Sequence, residues 1–201
     1  MDAEALARWY ADEARDLPWR ATSDPWAILL SEVLLQQTQV ARGIEYWRRI
    51  LDRFPTVASM AEADLDEVMH LWQGAGYYAR GRRLHALAVE VCDPDGPWNS
   101  ALPAPSTFED VVAAFQRLPG IGPYTAAAVA SIAHEVPAAV VDGNVRRVVA
   151  RQTATLQPTT ADVTSLAQAW MDDAHGRNVA PSVWNQAVME LGATVCTPRA
   201  P

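Results

Sequence analysis

The chain predicts an all-α protein, and three observations carry that expectation. Apolar residues recur at three- and four-residue spacing almost throughout, as in Leu6-x-x-Trp9-Tyr10 and Leu84-x-x-Leu87-Ala88-x-x-Val91, the period of one helix face. Alternating patterns of the kind a half-buried strand needs are nearly absent, although the Val140-Val141 pair mimics one. Two glycine-marked turns, Gly74-Ala75-Gly76 and Gly120-Ile121-Gly122, each open onto a helical pattern.

Taken in order, these signals place helices near 3–15, 26–37, 39–52, 64–71, 77–92, 107–116, 123–134, 143–152, 160–173 and 182–193. The stretch Ile28 to Leu35 is apolar on nearly every helical face and reads as a buried helix, followed by the polar run Gln36-Gln37-Thr38-Gln39 where it ends. The segment from 77 starts after the first glycine turn. Asp93 to Pro105 holds four prolines and a glycine and reads as a surface loop between helical groups. Pro123 suits a first helical position, where its missing N–H has no intrahelical partner, and Thr125 to His134 follows as a small-residue helix. No internal repeat or low-complexity tract is present.

Length and composition fit one compact unit or two small lobes sharing a cleft, and with 50% apolar residues the chain can bury a real core. Cys92 and Cys196 lie far apart, no signal-like start or membrane-length apolar run is seen, and a soluble cytoplasmic protein with free thiols is expected. The net charge of −8 argues against broad electrostatic attraction to nucleic acid, so any DNA contact must be local. All 16 basic residues are arginine.

Four groups of residues stand out chemically. Leu118-Pro119-Gly120-Ile121-Gly122-Pro123-Tyr124 can turn sharply and aim backbone N–H groups at an anion, although an ordinary link between two helices has the same look. Glu32 sits in the middle of the buried helix, where desolvation favours the protonated acid a general acid requires; a rim position paired with arginine is the plainer alternative. Tyr77 and Tyr78 precede Arg80, Arg82 and Arg83, rings beside cations that suit stacked bases and phosphates but also suit a half-buried helix face. Gln36 to Gln39 offers donors and acceptors to base edges, or forms a solvated helix end.

Ser31 to Val40, Leu71 to Arg80, Leu118 to Ala128, Val141 to Arg147 and Asn185 to Ala193 resemble, in order, the MutY-type adenine DNA glycosylases of the helix-hairpin-helix superfamily, which also contains endonuclease III. The resemblance runs from about Leu17 to Pro201. It implies two helical lobes flanking an active-site cleft: a six-helix barrel over 19–134 that carries the hairpin, and a second lobe from 1–18 with 135–201. It further implies a base-excision enzyme that flips adenine from mispairs with 8-oxoguanine or guanine in double-stranded DNA, acting as a monomer without a membrane.

By motif, Glu32 would protonate adenine N7 and then help activate water, Asp142 would stabilise the cationic sugar, Tyr124 would hydrogen-bond in the site and Asn144 would orient acid and water. Trp19, Arg20 and Glu190 would line the adenine pocket; Gln37 and Tyr77 would wedge the duplex near the lesion, with Arg80 on the DNA. Gly120 and Gly122 would present N–H groups to a phosphate, with a monovalent cation possible there. Strand-cutting relatives carry lysine at the position of Tyr124; this chain has no lysine, which implies a monofunctional enzyme.

Departures from the pattern matter too. Ala75 stands where leucine is usual, which weakens the wedge. Cys196 matches the first ligand of the family's four-cysteine [4Fe–4S] cluster, and the sequence ends five residues later, so a C-terminally truncated member without the cluster or the 8-oxoguanine-recognition domain is expected. Two alternatives stay open: a mismatch thymine or uracil glycosylase, and an inactive DNA-binding module.

Overall fold

The computed structural model describes residues 1–107 and 110–199. Its helices are α1 (Ala3–Glu13), a 3-10 turn (Pro18–Ala21), α2 (Pro25–Leu35), α3 (Val40–Arg53), α4 (Val57–Ala61), α5 (Leu65–Trp72), α6 (Ala79–Val91), α7 (Val111–Gln116), α8 (Pro123–His134), α9 (Gly143–Gln152), α10 (Thr160–Gly176) and α11 (Pro181–Thr194). No strand occurs among the described residues. The all-α expectation therefore holds, and the Val140-Val141 pair lies outside any helix or strand; the Val140 N–H is taken by Asn185 Oδ1 at 3.0 Å.

The chain divides into two compact units, Leu17–Val129 and Met1–Asp16 with Ala130–Pro201, so one passage between them falls inside α8. In the first unit α2 is the central element. Asp24 caps its N-terminus by accepting from the N–H groups of Trp26 and Ala27, at 3.1 and 3.3 Å, and Pro25 occupies the first helical turn. Every residue from Trp26 to Leu34 is buried. Such all-round burial is possible because α3, α6 and the 3-10 turn pack against α2. Trp26 and Trp47 spend their indole N–H groups on the carbonyls of Phe54 and Ala27, at 2.9 and 2.8 Å, so neither ring brings an unsatisfied donor inward.

Three local outcomes differ from the sequence expectation. The helix expected over 26–37 ends at Leu35 and the one expected from 77 starts at Ala79, because Gln37 and Tyr77 take left-handed backbone angles, φ +62° and +48°. The five-residue α4 is additional; its sequence is too short for periodicity, but Thr56 and Ser59 form a reciprocal capping box at its start. The helix expected over 107–116 is seen from Val111, and residues 108 and 109 lie outside the described residues.

The second unit packs α9, α10, α11 and α1 around a core that includes Leu6, Val145, Val148, Val149, Val163, Met171, Trp184 and Val188. Here α11 packs closely on α9. A Cβ built on Gly192 would lie 2.6 Å from Asn144 Cβ and 2.7 Å from the Asn144 carbonyl oxygen, so only glycine permits this spacing. Gly192→Ala is expected to push α11 off α9 and lower stability by about 1–3 kcal/mol, read as a shifted urea midpoint at constant slope.

Candidate active site

Within the unit spanning Leu17–Val129, α2 carries Glu32 at 7% exposure, and the Tyr124 hydroxyl on α8 donates to Glu32 Oε2 at 2.7 Å. These two expected site residues are therefore in direct contact although 92 positions apart. A buried carboxyl receiving a phenolic donor is fixed in place and screened from bulk water, which suits a proton donor to a ligand. Gln36, one turn beyond Glu32, donates to Thr125 Oγ1 at 3.3 Å and ties the end of α2 to α8 a second time.

Trp19 lies in the 3-10 turn at 7% exposure, edge-on to Trp47 with ring centroids 6.0 Å apart, and Arg20 follows it half-buried. Gln37 and Tyr77 line one open groove of about 660 Å³ together with Gln36, Tyr78, Arg80, Arg82 and Arg83. Tyr77 is 60% exposed, which is unusual for a ring and more so in a left-handed backbone. Residues held at such angles cost about 1–3 kcal/mol each and mark places where a side chain must point in a set direction.

Arg80 departs from the expectation of a DNA-facing cation. Its guanidinium is buried, and it donates inward to the carbonyls at the end of α2 and in the turn before α6 rather than outward. Burial pushes its pKa below the ordinary arginine value. The physical reason is that Val33 and Leu34, in the last turn of α2, are buried and their carbonyls need protein donors, although the helix emerges at Leu35 and Gln36. Arg82 and Arg83, both exposed, are the cations left facing solvent beside Tyr77 and Tyr78.

In the hairpin, Gly120 alone takes a left-handed angle, φ +78°, and a Cβ there would sit 2.9 Å from Arg83 Cβ. Gly122 does not use that freedom; it has open space around its Cβ position, and its carbonyl accepts from Ala126 N–H at 3.0 Å in the first turn of α8. The turn is thus an approach of backbone to α6 at one glycine and a helix start at the other.

In the second unit, Asp142 is the N-cap of α9. Its Oδ1 accepts from Val145 N–H at 2.8 Å and its Oδ2 from Asn144 Nδ2 at 2.6 Å, so both oxygens are oriented while the residue stays half-buried. Asn144 is held in turn by Arg147, whose Nη2 donates to Asn144 Oδ1 at 2.6 Å and to the Gly192 carbonyl at 2.7 Å, and whose Nε donates to the Cys196 carbonyl at 3.0 Å. The segment leading into Asp142 is laced from both sides. Asn185 bonds Ser131, Ala138 and Val140, and Gln168 bonds Pro137 and Ala139.

Glu190 is fully buried, and Arg15 holds both its oxygens: Nε to Oε1 and Nη2 to Oε2, each at 2.7 Å, with the Arg15 backbone N–H at 3.1 Å. The hydrogen bond to Glu190 raises the Arg15 pKa. Arg15 and Arg147 were not legible as site neighbours. Arg147 could have been found, since it sits three residues after Asn144 on one helix face; Arg15 is 175 positions from Glu190 and carries no local signal.

A [4Fe–4S] cluster needs four thiolates. The chain has two cysteines: Cys92, in the first unit, and Cys196, packed at the edge of the second unit's core; no group of three or more metal-binding side chains occurs among the described residues. The residues present do not make a site for that group. Among the described residues, no helix is long and apolar enough to cross a membrane.

The fold is that of helical DNA-repair glycosylases. It superimposes on a thermostable thymine-DNA glycosylase with a TM-score of 0.82 and 25% identity, covering 99% of this chain and 88% of that one. A non-covalent endonuclease III–DNA complex follows the same fold at TM-score 0.70 and 20% identity, over 99% and 86%. Residues 30–172 match the model of the HhH-GPD superfamily base excision DNA repair proteins, and the chain belongs to that family. It is 46% identical to the adenine DNA glycosylase of Mus musculus and 40% identical to that of Mycolicibacterium smegmatis, in each case over 98% of this chain. It spans 38% and 64% of the length of those two relatives.

Arg15→Met is expected to lower stability by about 2 kcal/mol. That is less than the roughly 3–5 kcal/mol for breaking a fully buried ion pair, because the Arg15 side chain is 42% exposed while Glu190 is enclosed. Chemical denaturation at neutral pH reads the loss.

Proposed function

We propose that this chain carries the catalytic machinery of a monofunctional adenine DNA glycosylase, acting on adenine opposite 8-oxoguanine or guanine in double-stranded DNA. The carrying observation is the contrast between two carboxylates. Glu32 is enclosed by an apolar helix and bonded by the Tyr124 hydroxyl, whereas Asp142 is half-buried and doubly hydrogen-bonded at a helix N-terminus. One carboxyl is enclosed in the core and the other is held at a helix N-terminus by two donors, an unequal pair of the kind that divides the labour of glycoside hydrolysis. The 40–46% identity to curated adenine DNA glycosylases supports adenine as the base.

In this reading the adenine nucleotide is rotated out of the duplex, and Glu32 gives its proton to N7. The C1′–N9 bond then breaks with its electron pair staying on the base. Asp142 stabilises the cationic sugar, Asn144 and Tyr124 hold the two acids, and water adds to C1′ with its proton passing to Glu32. Trp19, Arg20 and Glu190 would shape the base pocket. With its carboxylate already held by Arg15, Glu190 would act through an accepting lone pair or by fixing α11. Phosphate would be held at the backbone of Gly120 and Gly122, with a monovalent cation at the hairpin, and by Arg82 and Arg83, local cations that offset the net charge of −8. Gln37 and Tyr77 would enter the duplex.

A second reading, thymine or uracil removal from mismatches, is favoured by the 0.82 TM-score to a thymine-DNA glycosylase. Single-turnover assays on A:8-oxoguanine, A:G and T:G duplexes separate the two; base release confined to T:G would overturn adenine. Glu32→Gln is expected to lower adenine release by at least about 100-fold while leaving duplex binding in place, and equal rates for both proteins would remove Glu32 from the chemistry. Because the chain contains no lysine, borohydride is expected to trap no side-chain imine, and a trapped complex in denaturing gels would refute the monofunctional assignment.

A further inference from the structure

We propose that Arg80 is a positioning residue: its buried guanidinium clasps the turn bearing Gln37 to the turn bearing Tyr77, so that both side chains are presented together to the duplex. The inference rests on the reading of Gln37 and Tyr77 as wedge residues.

The geometry is specific to one side chain. Arg80 Nη1 donates to the carbonyl oxygens of Val33 and Leu34, both at 2.8 Å, and to that of Gln36. Its Nη2 reaches Thr38 Oγ1 at 3.0 Å and the carbonyls of Ala75 and Gly76 at 3.3 and 3.2 Å. Gln36 and Thr38 flank Gln37; Ala75 and Gly76 precede Tyr77. One guanidinium therefore bonds on both sides of the first left-handed residue and just ahead of the second. Thr38 closes the bracket by donating to the Ala75 carbonyl at 3.4 Å.

Two η nitrogens carry four hydrogens and meet six acceptors here, so some bonds are shared. That sharing needs a flat, forked cation. A lysine, with one point charge and three donors, cannot serve two turns at once. The guanidinium also lies over the rings of Trp72 and Tyr77, 5.8 and 5.4 Å from their centroids, so the clasp touches one of the two presented side chains directly. Left-handed angles at glutamine and tyrosine are unfavourable by themselves and persist only where surrounding bonds hold them.

The test is a double-mutant cycle on binding of the whole chain to a mispaired duplex, read by fluorescence anisotropy. Arg80→Lys in the wild-type background is expected to weaken binding about tenfold, and to change it less than about twofold in a Gln37→Ala/Tyr77→Ala background. Equal losses in both backgrounds would overturn the proposal. In Arg80→Gln, which removes the charge, the salt dependence of binding is expected to keep its slope, because no phosphate contact is lost; a slope smaller by about one would make Arg80 a DNA ligand instead.

Amide hydrogen exchange of the DNA-free protein gives an independent reading. Arg80→Lys is expected to speed exchange at 36–38 and at 75–78 together, and unchanged exchange in either turn would overturn the clasp whatever the DNA result. If Arg80→Lys shows no cooperative melting, Thr38→Val, which removes one acceptor of the clasp, is expected to give about a threefold loss with the same background dependence. A wild-type protein that binds mispaired and matched duplexes equally would sink the wedge reading, and the exchange experiment would still decide the clasp.

Discussion

Complete burial of α2 is the constraint that the first unit is built around. A helix enclosed on all sides from Trp26 to Leu34 cannot turn its last carbonyls to water, and each unsatisfied buried polar group costs about 1–3 kcal/mol. Asp24 meets the donor end and Arg80 meets the acceptor end. Both chemically important features of this helix follow. Glu32 sits on the enclosed stretch, where an acid is kept from solvent, and Gln37 sits immediately past the capped end, where the chain must leave abruptly. The inward turn of Arg80 answers the buried carbonyls of the last turn of α2, and its guanidinium lies 5.4 Å from the ring centroid of the exposed Tyr77.

The second unit solves a different problem, that of fixing a carboxylate without enclosing it. Asp142 gains one bond by capping its own helix and another from Asn144 two residues on. The second would be lost if the Asn144 side chain rotated, and Arg147, bonded to Asn144 Oδ1 and the Gly192 carbonyl, restrains that rotation. Gly192 is necessary because α11 lies so close to α9 that a methyl group would strike Asn144. Asp142 is thus oriented by a helix N-terminus and two donors while remaining half-buried, whereas Glu32 is oriented by enclosure.

Much of this was legible in the sequence because it depends on local chemistry. The apolar run around Glu32, the proline and glycines of the hairpin, and the Asp142-Gly143-Asn144 start of α9 each carry their signal within a few residues. What could not be read depends on long-range closure. An arginine in a glycine-marked turn beside two tyrosines has the look of a surface cation, and only the three-dimensional meeting of the 33–38 and 75–80 segments turns it inward. The Arg15–Glu190 pair spans most of the chain, and the need for glycine at 192 appears only when α11 is laid on α9. Gly122 errs in the other direction: it shares its pattern with Gly120 but not its backbone angle.

Charge makes the same point about scale. A net −8 excludes binding by bulk attraction, so a protein of this composition can engage a polyanion only by placing its few free cations and helix N-termini where the backbone passes. Arg80, Arg147 and Arg15 are committed to carbonyls and carboxylates of the protein itself. Arg80 lines the groove of Gln37 and Tyr77 with its donors turned inward, whereas Arg82 and Arg83 line it exposed. Arginines that organise the protein and arginines that face outward are therefore different residues within a few positions of one another.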